Sequence, residues 1–344
     1  MKLKKGSNNP VLIPNPTNSW ESLAVCNPGA WYEDGVFYLL YRAAGHDDTH
    51  YVHFGLATSS NGFDFERVST EPVFSPSIDG PDAGCVEDPR IVKFDDKYYV
   101  TYAYRAYPPG QYWKLAYDEV TSVDLGENAP SVLKKNIANT GLAISDDLRT
   151  FKRLGRMTLP KLDDRDVILF PEKVNGKYVL LSRAKQWVGE TFGTDHPAIW
   201  ITYADDLMDW DFSTSRLLAK GEEAWEKKIG GSTPPLKTDA GWLTLYHGVD
   251  YGGTYRVGAL LLDLNEPEKV IGRTTDFIME PEHEYELNGL YQGCVFPTGN
   301  VIVDGVLYVY YGGADQYCGV ATCQVEELIR FIKANTKTLA SSEV

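Results

Sequence analysis

The 344-residue sequence predicts an all-β fold, a five-bladed β-propeller with a short C-terminal helix, as one domain over residues 1–344. Two observations predict it. One phrase recurs five times: a proline-led start, a short polar turn, then a strand of aromatic and β-branched residues. The turns also recur evenly, with Gly35, Lys97, Lys177, Gly241 and Gly305 spaced 62, 80, 64 and 64 apart. One β unit repeated at such a period signals an array and not a string of separate domains.

The repeats read NPGAWYEDGVFYLLYR at 27–42, DPRIVKFDDKYYVTYAYR at 88–105 and FPEKVNGKYVLLSR at 170–183. The phrase returns as TPPLKTDAGWLTLYHG at 233–248 and FPTGNVIVDGVLYVYYGGAD at 296–315. A second phrase follows with the outer strands: GLATSSNGFDF (55–65), GLAISDDLRTF (141–151) and ITYADDLMDW (201–210). It shrinks to GALLLDL (258–264) and GVATCQV (319–325) in the last two repeats. The leading prolines suit strand starts, where no ladder donor is needed. Propellers set the first strand of each blade around a central channel, so side chains at repeat starts converge on one axis. After the last repeat, VEELIRFIKANTK (325–337) carries Val325, Leu328, Ile329 and Ile332 at helical spacing. That helix either caps the propeller or meets a second subunit, as in a homodimer. The tail LASSEV (339–344) is expected to be disordered.

Composition narrows the function. With 43% hydrophobic residues the chain can bury a large core. Its 33 Lys and Arg against 48 Asp and Glu leave a net charge of −15, which argues against nucleic acid and anionic membranes as partners. The N-terminus MKLKKGSNNP has no apolar signal core, and Cys26, Cys85, Cys294, Cys318 and Cys323 form an odd set without zinc spacing. The expected location is the cytoplasm.

The chemistry begins in CVEDPRI (85–91), where Asp88 precedes a proline. A carboxylate aimed into the channel there can act as a general acid, although capping a strand start would need the same residue. Arg42, Arg183 and His247 share one phase in three repeats, near the ends of what are read as the innermost strands. Central cations in an acidic chain point to an anionic ligand, and arginine's planar fork suits phosphate. Arg165, Lys228 and Tyr255 lie in segments entering or leaving the blades. In AGHDDTHYVHFG (44–55), His46, His50 and His53 with Asp47 and Asp48 have metal-ligand character. The odd spacing sends His50 and His53 to opposite faces of a strand, so a loop that contacts the ligand through Asp48 or His50 is preferred to a metal site. The stretch KQWVGETFGTDHP (185–197) is either a second ligand-shaping loop or a solvated one.

These residues together resemble glycoside hydrolase family 130, the mannoside phosphorylases and related mannosidases. EDPRIV, LFPEKVNGKYVLLSR, KIGGSTPP, GWLTLYHGV, YRVGALLLDL, CVFPTGN and YYGGAD all look like its motifs, in order, from about residue 25 to 335. The resemblance implies a five-bladed propeller with its active site at the channel mouth. By position, Asp88 matches the family's proton donor. Arg165, Arg183, Lys228, His247 and Tyr255 match its phosphate-binding set, and Asn27, Arg42 and Asp315 match residues that hold the mannose. An inverting hydrolase needs a second carboxylate to activate water, whereas phosphate is already a nucleophile and needs only positioning and charge neutralisation. The retained basic set therefore implies phosphorolysis of a β-mannoside to α-mannose 1-phosphate, with phosphate as co-substrate and no cofactor. The stretch YRAAGHDDTHYVHFG looks most like the members acting on β-1,2-mannobiose. Action on β-1,4-mannosides, hydrolysis, and noncatalytic sugar binding are the alternatives.

Overall fold

A computed structural model describes residues 1–110 and 137–335. The described chain is mostly strand, with one helix longer than four residues, Val325–Asn335. Residues 168–219 form one four-stranded sheet, and residues 228–273 form a five-stranded one. An eight-stranded sheet spans residues 24–156 and consists of two antiparallel meanders joined by the parallel pair Val52↔Cys85. The last sheet takes residues 295–324 and adds the N-terminal strand Lys4–Lys5 outside Tyr317–Gln324, with Lys4 opposite Thr322. The chain is thus a succession of antiparallel meanders in a propeller-like array, and its beginning completes the sheet formed by its end.

The apolar core lies in layers between neighbouring meanders. Leu40 and Leu56 pack on Val86 and Ile91, and Val92 and Leu142 pack on Leu169 and Leu180. Further round, Phe170 and Leu181 meet Trp242 and Leu260, while Leu245 and Val257 meet Val309 and Tyr311. Val301 and Tyr310 meet Val25 and Leu39, which returns the packing to the first meander. Each meander buries both faces of its inner strands, which is why the repeats read as nearly continuous apolar runs instead of alternating ones. The C-terminal helix inserts Leu328 and Ile332 into the layer between the last two meanders. Its apolar face is thus covered by its own chain.

A buried polar device repeats in four of the meanders. A tyrosine on the second strand donates its hydroxyl to a carboxylate from the segment before the first strand, and a cation on the fourth strand pairs with that carboxylate. The sets are Tyr41–Glu21–Arg67, Tyr102–Asp82–Arg153, Tyr246–Glu226–Arg273 and Tyr311–Glu286–Lys5. Lys5 fills the fourth-strand place in the last set because the N-terminal strand is the fourth strand of that sheet. Each tyrosine lies opposite a glycine on the third strand: Gly55, Gly141, Gly258 or Gly319. A Cβ on Gly55 would come within 2.2 Å of the Tyr41 ring, so the glycines are required by close approach. In the remaining meander Ser182 stands opposite Trp200, and the aromatic has moved to the partner strand.

Four hairpins turn through Asp34–Gly35, Asp95–Asp96, Asn175–Gly176 and Asp304–Gly305, all with positive φ at both residues, as a tight two-residue turn between twisted strands demands. The longer spacing after Lys97 falls between the strands Lys97–Arg105 and Asn139–Ser145, a stretch that includes residues 111–136 outside the described part. The expected end of the helix at 337 and the LASSEV tail lie outside it too. Pro28, Pro89 and Pro297 do not start strands; they sit inside Ala24–Glu33, Cys85–Phe94 and Val295–Val303, at bulges where the register slips. A bulge tolerates Pro28 and Pro89 for the same reason a strand start does, because a bulged residue has no ladder partner; Pro297 still faces Tyr311 and only flanks the bulged Thr298.

Candidate active site

The bulges decide where the first two site residues point. Asn27 and Asp88 directly precede Pro28 and Pro89 and hold φ of 47° and 54°. Left-handed backbone is uncommon outside glycine, although Asn and Asp tolerate it best. The side chains meet: Asn27 Nδ2 donates to Asp88 Oδ1 at 2.7 Å, and Arg42 Nη1 donates to the same oxygen at 3.2 Å. All three are buried. Asn27 Oδ1 is buried without a hydrogen-bond partner, an acceptor suited to a ligand hydroxyl. Glu87 faces Arg42 Nη2 at 3.8 Å; burial pushes its carboxyl up, but Arg42, Arg105 and Arg165 outweigh this and hold it at about 2.

The shared phase of Arg42, Arg183 and His247 is real, but their strand differs from the expectation. They lie at the ends of the second strands Val36–Ala44, Tyr178–Ser182 and Gly241–Val249, each one residue beyond the Tyr41, Ser182 or Tyr246 position. The first strands, Ala24–Glu33, Cys85–Phe94 and Val295–Val303, are the ones that pack against one another. In the last meander the matching residue is Gly312, where a Cβ would lie 1.8 Å from Asn27 Oδ1.

Two of the expected anion-binding residues, Arg183 and His247, converge on Asp166. Arg183 grips Asp166 Oδ2 through Nε at 2.6 Å and Nη2 at 2.5 Å, and His247 Nε2 stands 3.5 Å from the same oxygen. His247 Nδ1 meets Ser232 Oγ at 3.2 Å, so both ring nitrogens face protein groups. Burial, with Arg183 and Arg90 nearby, pushes its pKa down to about 3, and the ring is neutral. Tyr255 stacks on His247 with centroids 5.7 Å apart, and Lys228 Nζ lies 5.8 Å from the Tyr255 ring centre. Burial, then Arg183 and Arg165, pushes Lys228 down to about 8. Arg165 forms a two-oxygen pair with Asp163, each contact 3.2 Å.

Several residues that sequence reasoning passed over belong to this cluster. Lys185 Nζ donates to Asp163 Oδ2 at 3.1 Å; Arg165 foremost, then burial, lowers it to about 7. Asp164 accepts the backbone N–H of Arg183 at 3.0 Å, and burial pushes its carboxyl up to about 7. The fully buried Arg90 reaches four oxygens from three meanders. The only sequence signal for Asp166 was its place after Arg165, and for Arg90 its place in EDPRI. In the 45–50 loop, Asp48 is exposed, and His50 is the buried residue facing Arg42 and Glu87. His53 instead bonds Ser75 Oγ at 3.1 Å and meets the Trp20 ring. Asp315, with φ of 56°, lies where its charge bears on Cys26, Cys294 and Tyr255. Among the described residues, no three His, Cys, Asp or Glu side chains are grouped to hold a metal, and no helix is long and apolar enough to cross a membrane.

Residues 5–334 match the model of glycoside hydrolase family 130, described as β-1,4-mannooligosaccharide phosphorylase. The chain belongs to glycoside hydrolase family 130. Within the family it resembles the 1,2-β-oligomannan phosphorylase of Thermoanaerobacter sp. strain X514, at 36% identity over 336 residues, 95% of this chain and 99% of that one. The β-1,2-mannobiose phosphorylase of the same strain is 37% identical over 338 residues, with the same coverage. Among solved structures, the β-1,2-mannobiose phosphorylase of Listeria innocua in complex with β-1,2-mannobiose superposes with a TM-score of 0.78 at 24% identity. It covers 97% of this chain and 100% of its own, a likeness that speaks for the fold. This family 130 member is an enzyme of the phosphorylase type.

Proposed function

We propose that the protein catalyses inverting phosphorolysis of β-1,2-linked mannosides, mannobiose or longer, giving α-mannose 1-phosphate and a shortened acceptor. Its β-1,2-acting relatives at 36% and 37% identity support the linkage. Asp88 is the general acid; Asn27, Arg42 and Asp315 hold the mannose, with Asp48 and His50 on the acceptor side. Arg165, Arg183, Lys228 and Tyr255 receive phosphate, with His247 packed behind them. The five meanders are then five blades of one propeller domain spanning the chain, needing no cofactor beyond phosphate. Five free cysteines suit a cytoplasmic enzyme. A dimer would have to form through some surface other than the buried face of the C-terminal helix.

One observation carries phosphorolysis over hydrolysis. A water-activating base must have a pKa near the working pH. Glu87, Asp163 and Asp166 are each held well below the usual carboxylate range by the arginines around them, against the opposing effect of burial. Asp164 is the one carboxyl among them that burial raises, to about 7, but it is 2% exposed and is held by the backbone N–H of Arg183, so it is shut away from an attacking water. The cations suit an anionic nucleophile, and the three carboxylates held low beside them are poor bases. Incubating β-1,2- and β-1,4-mannobiose with and without phosphate tests this. Mannose 1-phosphate formed from the β-1,2 sugar only when phosphate is present is the expected result; free mannose at equal rates without phosphate overturns it.

A further inference from the structure

Arg90 is 1% exposed and makes four hydrogen bonds to the protein through its guanidinium. Nε donates to the Ser232 carbonyl at 2.8 Å, and Nη1 to the carbonyls of Asp88 at 3.1 Å and Arg165 at 3.2 Å. Nη2 donates to Asp166 Oδ1 at 3.3 Å. Asp166 uses its other oxygen for Arg183 and His247. One ion pair therefore touches the backbone of the expected acid, the backbone of one anion-binding arginine and the side chain of another. Ser232, held by the same guanidinium, also meets His247.

We infer that Arg90 and Asp166 are a positioning pair, which holds the proton donor and the phosphate-binding cations at a fixed separation without touching substrate. The inference rests on the phosphorylase reading above. A buried ion pair contributes little net stability compared with apolar residues of the same volume, so its presence here calls for another reason. Arginine supplies a rigid planar fork able to fix several carbonyls at once. Asp166 would by charge alone repel phosphate. What it offers in return is aim: two nitrogens of Arg183 are committed to it, which fixes the plane of that fork and leaves Nη1 for a ligand.

The test measures kcat, KM for phosphate, KM for mannobiose and the melting temperature in Arg90→Lys and Asp166→Asn. A lysine keeps the charge but cannot span the four oxygens. Arg90→Lys is expected to lose about 10²-fold in kcat, the scale of a roughly 1 Å misplacement of reacting groups, with KM for mannobiose little changed. Asp166→Asn is expected to raise KM for phosphate about tenfold, the scale of one lost charge-assisted hydrogen bond. Relief of repulsion would lower that KM, so a fall, or no change, overturns the inference. A folded Arg90→Lys with wild-type kcat overturns it as well, and if that variant melts below the assay temperature, the isosteric Asp166→Asn decides alone. Wild-type turnover that ignores phosphate sinks the phosphorylase reading and this inference together. Phosphate-dependent wild-type turnover with both variants unimpaired sinks only the positioning pair.

Discussion

Asn27 and Asp88 occupy the same bulge in two neighbouring meanders, and the amide of one donates to the carboxylate of the other at 2.7 Å. Both are left-handed residues ahead of a proline, a conformation that sterics disfavour in any residue other than glycine. The bulge turns each side chain out of the ladder, and Gly312 leaves the room Asn27 needs.

Asp88→Asn keeps the side chain's size and removes only its acidity. Turnover is expected to fall by roughly 10²–10⁴-fold, the usual scale for a lost general acid, with mannobiose binding retained. The loss is expected to shrink with a nitrophenyl mannoside, whose leaving oxygen needs little protonation. A folded variant that turns over mannobiose at the normal rate would move the role elsewhere.

Arg183→Ala removes the best-anchored member of the anion cluster. It is expected to cost roughly 3 kcal/mol of transition-state stabilisation, as loss of an oxyanion donor does. KM for phosphate rises with it. Steady-state kinetics with phosphate varied read both, and an unchanged phosphate dependence removes Arg183 from the site.

Lys228 predicts a pH limit. Burial and its arginine neighbours place its pKa at about 8, so the ammonium is present below that pH and lost as pH rises through it. The expected result is a KM for phosphate that climbs above about pH 8. Lys228→Arg, which stays charged, extends the plateau to higher pH. The same climb in both proteins would exclude Lys228 as its cause.

Tyr246→Phe tests the repeated polar device away from the site. Glu226 is buried and keeps Arg273 and the backbone N–H groups of Glu222 and Glu223 but loses the tyrosine hydroxyl. About 1–3 kcal/mol of stability is expected to go with it, read as a lower melting temperature with kcat unchanged. A melting temperature equal to wild type would show that the remaining partners satisfy Glu226.

Much of the fold was legible because it is written locally. Turn pairs such as Asp34–Gly35 and Asp304–Gly305 need residues that accept positive φ, and the apolar strands between them need a layered core. The glycine heading most of the second phrases was visible as well. Its reason was not, because the ring that excludes a Cβ from Gly55 belongs to another strand. The closing strand was also hidden: Lys4–Lys5 is two residues long and carries no β pattern, yet Lys5 completes the last tyrosine–carboxylate set.

By itself, the sequence determined the repeat, the phase shared by Arg42, Arg183 and His247, and the place of Asp88 ahead of its proline, because repeats can be aligned residue by residue. Only the tertiary structure decided that these three residues end second strands, that His247 turns both nitrogens to protein, and that His50, not Asp48, is buried beside Glu87. It alone revealed Arg90 and Asp166, 76 residues apart, as partners, and tied Arg90 to Ser232, 142 residues away. A side chain's direction follows from bulge and register, and the partner of a buried charge is set by ring closure of the meanders. Neither is a property of any stretch of sequence.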